Sequence, residues 1–110
     1  MENILSLVKE KLEEKKAIDV VIIDIRELSV MADYFIIASG NNVNQVHAMA
    51  DFVEDELAKA GLRHKAVEGY NNANWILMDY GDIIIHLFDK ESREFYDLER
   101  IWKGGKKVEI

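Results

Sequence analysis

Residues 75–102 read WILMDYGDIIIHLFDKESREFYDLERIW. Two runs of β-branched and aromatic residues, 75–79 and 82–88, flank Tyr80-Gly81, which predicts a hairpin closed at that dipeptide. With a two-residue turn there, Asp79 faces Asp82, Leu77 faces Ile84 and Trp75 faces His86. Because Gly is second, a type I turn with a bulge also suits the loop and would shift the pairing. Side chains alternate across a strand. One face then carries Ile76, Met78, Ile83, Ile85 and Leu87, all apolar, and must be core. The other carries Trp75, Leu77, Asp79, Asp82, Ile84, His86 and Phe88, a mixed aromatic and acidic set. The stretch ends in a helix expected over 91–102, with Phe95, Leu98 and Trp102 as its buried stripe and Arg93 paired with Asp97 four residues on. Tyr96 and Glu99 fall on a neighbouring face of that helix.

Working outward, residues 2–16 predict a helix with Ile4, Leu5, Leu7, Val8 and Leu12 on one stripe. Val20–Ile25 is a buried strand by its β-branched run, and 33–39 is a second strand stopping at Gly40. Asn41 and Asn42 offer an N-cap to a helix on which Val46, Ala50, Val53 and Leu57 recur, with Gly61 placed to end it. Residues 65–68 form a short strand, 69–74 (GYNNAN) a loop, and 103–110 a loose tail. The order α-β-β-α-β-β-β-α predicts one α/β domain over 1–110, with a mixed β-sheet flanked by helices.

Composition bounds the function. Nearly half of the 110 residues, 49%, are hydrophobic, enough for a core. With no Cys, disulfides, Cys-based zinc sites and Cys nucleophiles are excluded. The first residues, MENILSLVKEKLEEKK, lack the continuous apolar run of a signal peptide, and no run approaches the ~18 residues of a membrane span. A soluble cytoplasmic protein with no membrane contact is the expectation. The net charge is −7, from 14 basic and 21 acidic residues. Residues 68–99 hold eight acids (Glu68, Asp79, Asp82, Asp89, Glu91, Glu94, Asp97, Glu99) and two bases (Lys90, Arg93), which nets −6. Phosphates repel such a surface, whereas a basic protein complements it.

The paired aspartates raise the question of an enzyme. A nucleotidyltransferase needs a Gly-Ser turn at a helix N-terminus for phosphates and two carboxylates side by side on one strand for Mg²⁺. Here Ser39-Gly40 is reversed and Asp79 and Asp82 straddle a turn. There is no Walker A motif and no G-x-G-x-x-G. His47, His64 and His86 are scattered, with no nucleophile near them in sequence; a metal held by Asp79, Asp82 and His86 would have no distinctive ligand set. No catalytic residue, cofactor or metal is expected. The mixed face of the hairpin is either a docking surface, with Trp75 beside Leu77 and Ile84 and a rim of acids, or a second core covered by a helix, with the aspartates merely solvating the turn. Opposed like charges at 79 and 82 would cost a few tenths to about 1 kcal/mol, which a basic partner would offset.

Several segments match a known family in order and spacing: DYFIIASG (33–40), Ala50-Asp51, Glu68-Gly69, Ala73 before Trp75, D-Y-G-D-x-x-x-H-x-F (79–88) and R-x-F-Y-D-L-E-x-x-W (93–102). Over Asp19–Trp102 the chain resembles the ribosomal silencing factor (RsfS, or Iojap-like) family. It departs from the pattern at Asn74, where an acid is usual, at Lys90, where Pro is common, at Ile101 for Leu, and in NNVNQ at the start of the second helix. The resemblance implies a nucleotidyltransferase-like topology without the catalytic motif and a factor that is not an enzyme. It implies binding to the large ribosomal subunit through that subunit's protein fourteen, with little direct RNA contact. Joining of the small subunit is thereby blocked and translation repressed. A homodimer when free is also implied. On this reading Trp75, Leu77, Asp79, Asp82, Ile84 and His86 are the expected centre of the partner-binding surface, extended by Tyr96, Glu99 and Trp102. A residual nucleotidyltransferase or nucleotide-binding protein, and a purely structural dimer, are the other readings of the residues.

Overall fold

The computed structural model describes residues 2–110. Ten elements follow one another: α1 (Glu2–Glu14), β1 (Ile18–Asp24), β2 (Tyr34–Gly40), α2 (Val43–Lys59), β3 (Ala66–Glu68), β4 (Trp75–Asp79), β5 (Ile83–Asp89), α3 (Lys90–Tyr96), α4 (Leu98–Ile101) and β6 (Lys106–Lys107). They form a mixed six-stranded sheet in the order β3-β4-β5-β2-β1-β6. Only the central β2–β5 pair is parallel, with Tyr34 opposite Ile83 and Gly40 opposite Asp89. The expected α/β architecture with a mixed sheet flanked by helices is therefore present.

Alternation sorts the strands' side chains onto two faces. Ile22, Ile36, Ala38, Ile76, Met78, Ile83, Ile85 and Leu87 point to one side, where Leu5, Val8 and Leu12 of α1 and Val46, Met49, Ala50, Val53 and Leu57 of α2 cover them. The stripe expected of α2 is thus the buried one. Its N-terminus is held as the Asn pair suggested: Asn42 Oδ1 accepts from the Gln45 backbone N–H at 2.9 Å. Gln45 reaches back to the Asn41 N–H and also donates to the carbonyls of Lys15 and Lys16, tying the end of α1 to the start of α2. On the other side of the sheet lie Ile23, Ile25, Phe35, Ile37, Phe88 and Leu98, a smaller cluster with Trp75, Ile84 and Trp102 half-buried against it.

Three sequence expectations are corrected. First, the hairpin pairs two residues out of the expected register: Trp75 is opposite Phe88, Leu77 opposite His86 and Asp79 opposite Ile84. The turn residues are Gly81-Asp82, since the Tyr80 N–H donates to the Ile83 carbonyl at 2.9 Å and Gly81 takes φ +91°, open to glycine at little cost. Asp79 and Asp82 therefore do not oppose each other. Asp79 Oδ1 accepts from the Gly81 N–H at 2.8 Å and shapes the turn. A shift of two residues preserves parity, so the paired strand residues keep their predicted faces, whereas Asp82, now in the turn, leaves the mixed face for the α1–α2 side.

Second, no continuous helix spans 91–102. Asp97 adopts the left-handed conformation, φ 47° and ψ 50°, and divides it into α3 and α4. Phe95 is 82% exposed instead of buried, and Arg93 pairs with Glu99, not Asp97. Third, the tail is not loose. Lys106 and Lys107 pair with Asp24 and Ile23, and the Val108 N–H donates to the Ile22 carbonyl, closing the β1 edge.

Candidate functional site

The β4–β5 hairpin enters the sheet from a loop whose geometry leaves no choice at Gly69. Its φ is +77°, and a Cβ there would lie 2.1 Å from the Trp75 carbonyl oxygen. The loop is strapped to α2. Tyr70 Oη donates to Asp51 Oδ1 at 2.8 Å, and His47 Nε2 lies 2.5 Å from the Tyr70 carbonyl oxygen. These contacts fix the start of β4, and with it Trp75.

From Trp75 a chain of rings crosses the sheet on the α3–α4 side. Tyr96 packs on Trp75 at 4.8 Å between centroids, and Trp75 stacks on Phe88 at 5.0 Å. His86 lies edge-on to Phe35 at 4.5 Å, and Phe35 edge-on to Trp102 at 5.0 Å. The Trp75 indole N–H donates inward to His86 Nδ1 at 3.1 Å. That bond places the His86 proton on Nε2, which is buried without a hydrogen-bond partner. Burial lowers the His86 pKa from 6.5 to about 4, so the ring is neutral near pH 7. A neutral acceptor suits the indole; an imidazolium would not.

The predicted residues fall into four groups. Trp75 and Tyr96 pack together at one end of the ring chain and Trp102 packs on Phe35 at the other, with Ile84 half-buried against the same cluster. Tyr96 is 45% exposed. Glu99 is beside them but engaged by Arg93. His86 is only 3% exposed, so it supports Trp75 from below and presents nothing to a partner. Leu77 and Asp79 are half-buried further along β4, towards the turn. Asp82 is separated from the rings altogether. It lines a cavity of about 90 Å³ with Ile4, Val8, Leu57, Leu62 and Tyr80 on the α1–α2 side. Among the described residues, no three His, Asp or Glu side chains gather in a way that could hold a metal ion.

Sequence reasoning missed Phe95 on α3 and Ile101 at the end of α4, 82% and 70% exposed, Phe95 lying edge-on to Tyr96 of the ring chain. It also missed Phe35, which bridges His86 and Trp102. Phe35 could have been found, because side chains alternate along a strand and Phe35 shares a face with Ile37. Phe95 could not, since its exposure depends on the break at Asp97. The acids Glu91 and Glu94 are exposed on the same short helix.

Taken together this is an α/β domain with one face sealed by two long helices and the other ending in a partly open aromatic surface rimmed by acids. The chain belongs to the ribosomal silencing factor family. The family model described as "Ribosomal silencing factor during starvation" matches residues 1–110. A Bacillus subtilis protein named ribosomal silencing factor RsfS is 37% identical over 100 residues, covering 91% of this chain and 85% of that one. The crystal structure of a Chromobacterium violaceum protein superposes with a TM-score of 0.91 at 33% identity, covering all of this chain and 91% of the other. A mouse protein named for mitochondrial assembly of the ribosomal large subunit is 31% identical over 94 residues, 83% of this chain and 41% of that one.

Proposed function

We propose that this chain is a translation regulator, not an enzyme, that binds the large ribosomal subunit through its protein fourteen and sterically prevents the small subunit from joining. Family membership supports the ribosomal role, and the name of the mouse relative points to the large subunit. The observation that carries the docking reading is the half-open aromatic face. Trp75, Phe95, Tyr96 and Ile101 offer large apolar side chains at the surface, and Glu91 and Glu94 stand beside them. Trp and Tyr anchors inside a polar rim are what tight protein interfaces use. With a net charge of −7, affinity for rRNA phosphates is disfavoured and a basic ribosomal protein is the complementary partner. Trp75, Tyr96 and Trp102 are the proposed contact residues, with Leu77, Asp79 and Ile84 at the margin of the same strand pair. His86 and Glu99 hold the others in place. Action on ribosomes implies a cytoplasmic location, and a homodimer that hides the same apolar side chains is the proposed free state.

Sedimentation of the purified protein with isolated subunits tests this. The protein should travel with large subunits and not small ones, lower the yield of joined ribosomes, and lose the effect as salt is raised. Trp75→Ala should lose binding while keeping its far-UV circular dichroism. Undiminished joining at saturating protein would refute the proposal.

A further inference from the structure

Helix α3 buries no side chain of its own, and α4 buries only Leu98. Apolar packing of α3 and α4 is thus confined to Leu98 and to the rings of Tyr96 and of Trp102, the residue that follows α4. A polar device stands beside it. All five N–H donors of the Arg93 guanidinium are used. Nε donates to Glu99 Oε1 at 2.9 Å and Nη2 to Glu99 Oε2 at 3.2 Å, a bidentate pair. Nη1 donates to the Ile18 carbonyl at 2.9 Å and to Ser39 Oγ at 3.1 Å, and Nη2 to the Asp19 carbonyl at 2.7 Å. The Arg93 side chain is 12% exposed.

The acceptors come from three separate places: the start of β1, the end of β2, and α4. Both main-chain acceptors depend on an irregularity. The β1–β2 register shifts between Ile18 and Val21, and Asp19 has φ 48°. The left-handed Asp97 brings Glu99 back onto Arg93 across the α3–α4 elbow, with the Asp97 N–H donating to the Arg93 carbonyl at 3.0 Å. An unbroken helix would place Glu99 on a different side from Arg93, since residues six apart do not share a face.

We infer that Arg93 is the positioning residue of the docking face: through Glu99, Ser39 and the Ile18–Asp19 carbonyls it fixes the α3–α4 elbow so that Tyr96 lies on Trp75 and Trp102 on Phe35. The segment R-E-F-Y-D-L-E (93–99) is then one device, in which Arg93 is the clamp, Asp97 the elbow and Glu99 the return contact. Lysine cannot replace it, because an ammonium has three donors and no planar fork. This inference rests on the docking role proposed above for the same face.

The test compares the parent with Arg93→Ala, Arg93→Lys and Ser39→Ala. The readouts are affinity for isolated large subunits, backbone hydrogen exchange, and emission of the two tryptophans, both of which lie on this face. R93A should bind at least tenfold more weakly, R93K should fall between it and the parent, and S39A should lose a fewfold. In R93A the amides of 90–102 should exchange faster while those of β2 and β5 keep their protection, and the emission should shift to the red. Parent-like affinity in a folded R93A overturns the inference, as does unchanged exchange over 90–102. If R93A does not fold, R93K and S39A carry the same readings. If the parent itself fails to bind large subunits, the docking role is refuted, and exchange and emission still decide whether Arg93 holds the elbow.

Discussion

The same strands build both faces of this sheet, yet the faces are closed in opposite ways. Towards α1 and α2, neighbours such as Ile36, Ile76, Ile85 and Leu87 are wholly buried under two amphipathic helices. Towards α3 and α4, the next residues along (Phe35, Trp75, Ile84, Phe88) meet two short helices that leave Trp75 and Trp102 half-open. The first face is held by apolar area. The second is held by rings, one indole–imidazole bond and one arginine. The larger buried core lies on the first, and the partly open aromatic surface on the second.

The contrast can be broken by mutation, starting from its sealed side. Leu87→Ala removes a fully buried side chain from the α1–α2 face and should cost ~3–4 kcal/mol in urea unfolding. On the open side the largest effect should come with pH. The unfolded chain protonates His86 near 6.5 and the folded chain only near 4, so between these values the unfolded state binds more protons. Stability should therefore fall as pH drops from about 6.5 to about 4, by roughly 3 kcal/mol if no other group intervenes. His86→Gln, which can still accept from the indole, should remove that part of the slope in denaturation curves taken at several pH values. Trp75→Ala should cost about 2 kcal/mol of stability yet reduce large-subunit binding at least thirtyfold, a separation no residue of the sealed face should give. Asn42→Ala should cost about 1 kcal/mol through the lost α2 cap, with binding unchanged. Phe95→Ser should leave the unfolding midpoint within about 0.5 kcal/mol of the parent while weakening binding, because its ring is mostly in solvent. A large loss of stability in Phe95→Ser would mean that the two faces do not differ as described.

The sealed face was legible in the sequence because its signal is parity. Ile76, Met78, Ile83, Ile85 and Leu87 alternate, and neither the true turn at Gly81-Asp82 nor a shift of two residues can move them to the other side. The stripe of α2 and its Asn42 cap were legible for similarly local reasons. What escaped depends on distant partners. The break at Asp97 has no breaker residue, and its geometry is tied to Arg93, whose Nη1 reaches a carbonyl 75 positions away. With the break unseen, Phe95 reads as buried and Arg93 as the partner of Asp97. The tail was misread because two lysines carry no strand pattern; β6 exists because β1 offers an unpaired edge. The residue types of the mixed face were legible as a set, but the places of Asp82 and His86 were not, one being moved by the turn and the other buried.

The parallel pairing of β2 with β5 has a consequence for how the molecule comes into being. Ile36 and Ile85 of this ladder belong to the sealed core, and Phe35, Ile37 and Phe88 to the ring-bearing one. Neither core can assemble until two segments about fifty positions apart have met, a closure that slows folding and concentrates it in one step. A chain still lacking β5, whether nascent or cut, has no half-finished version of the aromatic surface to display. On the docking role proposed above, capacity to engage a partner should thus appear all at once with the native state, and folding itself would act as the check on premature binding.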